Sequence, residues 1–134
     1  MNPSHLTRTL PDPATLFTDG FLVFLKRECP TCALVGPALS RLEGDGVAIR
    51  AISQDDPTFP ASLTGVIDDR DLEWSFRYAV ETVPTLVRIV NGKEVARTIG
   101  WDRYEWARII ERPDVGAGLP PFQPGCGSKS VEPG

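Results

Sequence analysis

The sequence predicts a single α/β domain built on a central mixed β-sheet flanked by helices. Three observations carry that reading. An apolar run, Phe21-Leu22-Val23-Phe24-Leu25, is followed by a helical pattern over residues 30–42 and a second strand-like run over 47–52. That order requires parallel pairing through a right-handed crossover. Two cysteines, Cys29 and Cys32, stand where the first strand hands over to the helix. Residues 85–90, Asn91-Gly92 and residues 94–99 then follow an antiparallel hairpin pattern, with Asn-Gly supplying the turn.

Each element has a local cause. Pro3, Pro11, Pro13 and Gly20 break any long helix at the start, leaving room for one short helical turn over residues 13–17. The first strand is apolar throughout, as a strand covered on both faces must be. In the helix that follows, Ala33, Leu34, Ala38 and Leu42 fall mostly at helical spacing, and Pro30 suits its first turn. Pro37 removes one intrahelical hydrogen bond, which predicts a bent helix rather than two. Gly44-Asp45-Gly46 closes it. Residues 53–70 are rich in turn residues, and residues 71–80 resemble an amphipathic helix carrying Leu72, Trp74, Phe76, Ala79 and Val80. A last helix over residues 102–111 buries Trp106, Ile109 and Ile110 and stops before Pro113. From there to residue 134 the chain is rich in Gly, Pro and Ser without periodicity. The expectation is a domain over residues 1–112 and a flexible tail over 113–134.

At 134 residues, with 41% hydrophobic and 24% charged residues, the chain can bury a core without disulfide staples. A net charge of −4 and the lack of a basic patch argue against nucleic acid or an anionic membrane as partner. The first eight residues hold no apolar core of signal-peptide length, and no apolar run is long enough to span a bilayer. If nothing has been trimmed from the chain, the expected location is the cytoplasm. There three cysteines point to catalysis or metal binding.

The chemistry centres on Cys29-Pro30-Thr31-Cys32. A cysteine at a helix N-terminus meets partial positive charge and unpaired N–H groups, which lower a thiol pKa from about 8.5 to roughly 3.5–7.5. The thiolate is the reactive species, and a second sulfur one turn on can attack a mixed disulfide formed by the first. The spacing reads as a dithiol–disulfide exchange centre whose first cysteine is exposed.

The set Cys29-Pro30-Thr31-Cys32, Pro37, Tyr78-Ala79-Val80-Glu81-Thr82-Val83-Pro84-Thr85, Asn91-Gly92-Lys93 and Gly100, in that order over residues 21–111, resembles the thioredoxin superfamily. The resemblance implies a thioredoxin-like fold and thiol–disulfide oxidoreductase activity on disulfide-containing proteins. Cys29 would be the nucleophile and Cys32 the resolving thiol, while Pro30, Thr31, Val83 and Pro84 would meet the substrate. It also implies a cis Val83–Pro84 bond that offers the Val83 backbone as a strand partner. Read from the residues alone, Pro84 merely begins a strand. No cofactor is expected beyond the redox-active pair, and electrons would come from an upstream reductase or from glutathione as co-substrate. The expected state is a monomer.

Departures from the family pattern matter. Val23 stands where thioredoxins usually keep a buried acid that helps deprotonate the second thiol, and Glu28 replaces the usual tryptophan before the first. Glu28 would raise the Cys29 pKa by like-charge repulsion, opposed by Lys26 and Arg27. Pro30, directly after the nucleophile, is more like glutaredoxins and the disulfide-forming enzymes of the bacterial periplasm. A glutaredoxin-like, glutathione-dependent reductase is therefore a second reading. Residues 56–71 read as an insertion near a substrate surface.

A third reading keeps the fold as a non-catalytic binding or metal module. Zinc needs four ligands, and Cys29, Cys32, Cys126 and His5 would complete such a set from both ends of the chain. His5 otherwise reads as solvated. Cys126, within Pro124-Gly125-Cys126-Gly127-Ser128, is either an incidental tail thiol, a mobile resolving or substrate thiol that reaches Cys29, or the start of a further domain. Trp74, Trp101 and Trp106 read as packing, and Asp68, Asp69 and Asp71 as a helix-capping cluster.

Overall fold

A computed structural model describes residues 19–129. The helical turn expected over 13–17 and His5 lie outside the described residues. The sheet has five strands in the order β3-β2-β1-β5-β6. β1 (Asp19–Leu25) lies at its centre, parallel to β2 (Ile49–Ser53) and antiparallel to β5 (Thr85–Val90). Leu22, Val23, Phe24 and Leu25 are almost wholly buried, which is why this strand carries no polar alternation. β3 (Ile67–Asp68) extends the parallel side, and β6 (Lys93–Ile99) pairs antiparallel with β5 at the other edge. Lys93, Glu94 and Arg97 on that edge keep it from recruiting another strand. The fold class expected from the sequence is the one found.

α1 (Pro30–Gly44) supplies the crossover, burying Thr31, Cys32, Val35, Gly36, Leu39 and Leu42. Pro37 lies inside it without dividing it. The Asn91-Gly92 turn has φ of 53° and 76°, the doubly positive geometry that matches the twist of a tight hairpin. α3 (Arg103–Ile110) is capped by Asp102, whose side chain accepts from the Tyr104 and Glu105 amides. Trp101 and Trp106 meet edge to face beneath it, and both are fully buried.

Two expectations need revision. The amphipathic stretch over 71–80 yields only a short helix, α2 (Glu73–Arg77), because Leu72 and Ala79 adopt left-handed φ of 62° and 53°. Asp69 takes up the work of the missing first turn: its carboxylate accepts from the Trp74 and Ser75 amides at 2.9 Å each and from the Ser75 hydroxyl at 2.6 Å. The segment over 53–70, read as turns, hydrogen-bonds to α1 through Thr64, whose amide and hydroxyl both donate to Glu43, and supplies β3.

The larger revision concerns residues 113–129, read from composition as a flexible tail. They pack across the domain. Val115 is buried, and Gly116 lies so close to the Trp101 ring that a Cβ there would overlap it. The Trp101 indole N–H donates to the Pro120 carbonyl at 2.7 Å. β8 (Phe122–Gln123) then pairs with β7 (Trp101–Asp102), and β9 (Cys126–Gly127) pairs with β4 (Thr82–Val83), both antiparallel. Glycine and proline here mark close approach rather than disorder.

Candidate functional site

The site forms where β1 ends. Lys26, Arg27 and Glu28 turn the chain into α1, and the Asp55 carboxylate fixes that turn by accepting from the Arg27 amide at 2.7 Å and the Glu28 amide at 3.1 Å. Cys29 is the N-cap residue of α1, in extended conformation, and Pro30 begins the helix, where a missing N–H leaves no donor unpaired.

Cys29 is bonded to Cys126, with 5.9 Å between their Cα atoms. The pairing joins the N-cap of α1 to the first residue of β9 across 97 residues. Cys32 is the free cysteine, buried one turn inside α1. The Cys29 Sγ lies 3.7 Å from the Val83 carbonyl oxygen; bonded to a second sulfur it has no proton to donate, so this is a packing contact. The Val83–Pro84 and Phe59–Pro60 peptide bonds are cis.

The expectation of an exposed Cys29 is corrected. Both Cys29 and Cys32 are inaccessible to solvent; Cys29 lies beneath the segment carrying Cys126, to which it is bonded. Val83 faces Cys126 and Thr82 faces Gly127 in the two-strand ladder, and the Ser128 amide donates to the Glu81 carbonyl at 3.0 Å. Thr31 Oγ1 donates to the Pro124 carbonyl at 2.6 Å and accepts from Gln123 Nε2 at 2.8 Å. Lys26 Nζ donates to the Gly127 carbonyl at 2.6 Å. Gln54, almost fully buried, donates through Nε2 to Ser75 at 2.9 Å and Ser128 at 2.7 Å, and its Oε1 accepts from the Lys129 amide at 3.0 Å. Lys129 reaches Glu28 at 3.5 Å.

Of the residues read from the sequence, Cys29, Pro30, Thr31, Cys32, Val83, Pro84 and Cys126 therefore meet at one place. Lys26, Gln54, Gly100 and Gly125 also belong to it; sequence reasoning gave Lys26 only a charge beside Cys29 and Gly100 only a place in the motif set, and gave Gln54 no role. For Gly125 the signal was the run of glycines around Cys126. No group of three or more His, Cys, Asp or Glu residues able to hold a metal ion exists among the described residues. No described helix is long and apolar enough to cross a membrane.

Burial pushes the Cys32 thiol from 9.0 up to about 12; the Lys26 amide, 3.5 Å from its sulfur, and the Lys26 charge pull it down, and Asp55 pushes it further up. Val23, in the position of the family's usual acid, is fully buried between Ala51 and Leu86.

A five-stranded mixed sheet, with a cysteine capping the helix after its central strand and a proline-led strand facing that cysteine, is the thioredoxin fold. Solved structures agree. The chain is similar to a thio-disulfide isomerase from Thermus thermophilus, with 25% identity, a TM-score of 0.54, and coverage of 72% of this chain and 79% of that one. It is similar to thioredoxin f2 from Chlamydomonas reinhardtii at 18% identity and TM-score 0.53, covering 77% and 94%. A thioredoxin from Aeropyrum pernix matches at 22% identity and TM-score 0.51, covering 83% and 80%. No family model and no curated protein sequence matches the chain.

Proposed function

We propose that the protein is a thiol–disulfide oxidoreductase that acts on disulfides in protein chains. Cys29 is the attacking sulfur and Cys32 the resolving one. The observation that carries this reading is the Cys29–Cys126 bridge on a paired strand. A sulfur bonded to Cys29, on a backbone held against Val83, has the arrangement of a mixed disulfide between enzyme and substrate.

The exchange runs in two steps. The Cys29 thiolate attacks one sulfur of a substrate disulfide, and the other substrate sulfur leaves as a thiolate and takes a proton from water. The Cys32 thiolate then attacks Cys29, releasing the second substrate cysteine and leaving a Cys29–Cys32 disulfide. Two electrons pass from the enzyme dithiol to the substrate disulfide, and an upstream reductase or glutathione returns them. The sulfur pair carries the electrons, so no prosthetic group is needed. A reducing cytoplasm suits this cycle.

A protein substrate is favoured because the groove holds an extended segment from Gln123 to Lys129 through contacts along its backbone. The test is disulfide reduction of an insulin-type substrate. Cys29→Ser should abolish turnover, and Cys32→Ser should accumulate mixed disulfides with the substrate. Full turnover with Cys29 replaced would remove the proposal.

A further inference from the structure

We infer that the groove selects its substrate by the residue before the reacting cysteine, accepting glycine there and rejecting any residue with a side chain, while leaving the residue after the cysteine open. This rests on the proposed exchange at Cys29 and names the class of chain it takes.

The segment bonded to Cys29 shows what the groove permits. Gly125 precedes the bonded cysteine and is clamped on two sides. A Cβ on it would overlap the Val83 carbonyl oxygen and stand 2.7 Å from Thr82 Cγ2. On the other side the Gly125 amide nitrogen is only 3.0 Å from where a Cβ of Gly100 would be. Gly100 has φ of +72° and its amide donates to the Pro84 carbonyl at 2.7 Å. The nearest obstacle to a side chain on Gly125 is thus the Val83 backbone, and the facing Gly100 backbone is fixed by its bond to Pro84; backbone cannot step aside as a flexible side chain can.

Gly127 presents the opposite case. It follows the cysteine, has no positive φ, and a Cβ on it would meet nothing within 4 Å. Its carbonyl is held by Lys26 and its backbone by Thr82, contacts that any residue can make. Two residues before the cysteine, Thr31 reads only the Pro124 carbonyl. The steric filter acts at one position; of the remaining contacts most read extended backbone, and two reach side chains farther from the cysteine, Gln123 with Thr31 and Ser128 with Gln54.

Two measurements on the full chain test this. In a Cys32→Ser background only Cys29 and Cys126 can pair at this site, and their equilibrium with oxidised and reduced dithiothreitol, read by thiol alkylation and mass spectrometry, reports how well the segment sits. Gly125→Ala should shift that equilibrium against the bridge at least tenfold, and Gly127→Ala less than twofold. Equal effects of the two substitutions would overturn the inference. In a Cys32→Ser, Cys126→Ser background, heptapeptides copied from residues 123–129 with Ser130 left off are supplied as mixed disulfides with an aromatic thiol. The Cys29 thiolate attacks the peptide sulfur and a coloured thiolate leaves. The peptide with Gly-Cys should react at least tenfold faster than the one with Ala-Cys, and replacing the following glycine should change little. Equal rates with glycine and alanine before the cysteine would overturn the selectivity while leaving the oxidoreductase intact. Failure of every peptide while the wild-type protein still turns over insulin-type substrates would overturn it too. Loss of both reactions would remove the exchange function itself.

Discussion

Opening of the Cys29–Cys126 bridge by Cys32 should be slow at neutral pH and should accelerate tenfold for each unit of pH. The attack needs the Cys32 thiolate, and burial pushes that thiol up to about 12. At pH 7 the thiolate is then about one part in 100,000, about a thousandfold less than for a thiol at 9.0. A more basic thiolate is a better nucleophile, and a Brønsted coefficient of about 0.4–0.5 returns roughly 16- to 32-fold over three units. The net handicap is about 30- to 60-fold. The assay starts from the bridged protein without added reductant, quenches with an alkylating agent, and follows the appearance of the Cys126 thiol from pH 7 to 10. A slope of log rate against pH near +1 with no plateau is expected. A plateau at or below pH 9 would refute the reasoning, because it would mean that the reacting thiol is not desolvated. The same shift makes the fold's stability pH-dependent. The folded pKa lies above the unfolded one, so the contribution is fully present below pH 9 and is lost as pH rises towards 12.

Other substitutions probe the segment and its supports. Thr31→Val removes both contacts to the segment, each worth about 0.5–1.5 kcal/mol. It should shift the Cys29–Cys126 equilibrium against the bridge by about fivefold or more in the dithiothreitol assay, with little change in the unfolding midpoint of the core. Asp69→Asn turns an acceptor towards the Ser75 amide into a donor and should cost about 1–3 kcal/mol, or about 4–11 °C in Tm for a chain of this size. Desolvation raises the Asp69 carboxyl above 3.8, against the hydrogen bonds from Ser75 and Trp74. The folded protein thus holds this proton more tightly than the unfolded chain. The wild-type advantage over the Asn variant should be largest below pH 3.8 and shrink as pH rises through the folded value, which paired thermal melts would read.

The sheet was legible because burial writes directly into sequence. Phe21-Leu22-Val23-Phe24-Leu25 has one interpretation once it is followed by a helix and a second strand, and Asn91-Gly92 has one turn geometry that suits it. The short helix α2 was not legible at its true length. Its boundaries come from left-handed Leu72 and Ala79, residues whose side chains give no hint of positive φ. The strand β3 was hidden for a related reason: two residues of pairing leave no periodicity to detect.

The site divided along the same physical line. Cys29 and Cys32 announced themselves because spacing and position on a helix start have chemical meaning in a linear chain. For Cys126 the sequence left three readings open, one of them a thiol that reaches Cys29, and could not choose among them, since its partner is set by backbone pairing between β4 and β9, two elements of two residues each. Composition even pointed the wrong way there. A run rich in glycine and proline is read as disordered because such residues bury little surface, yet Gly116 and Gly125 are needed where the chain presses against Trp101 and Val83. A glycine selected for close approach and a glycine tolerated in a loose tail are the same letter. What distinguishes them is whether a Cβ would find room. On that criterion the glycine before Cys126 is confined and the one after it is free, an asymmetry that a loose tail would have no cause to produce.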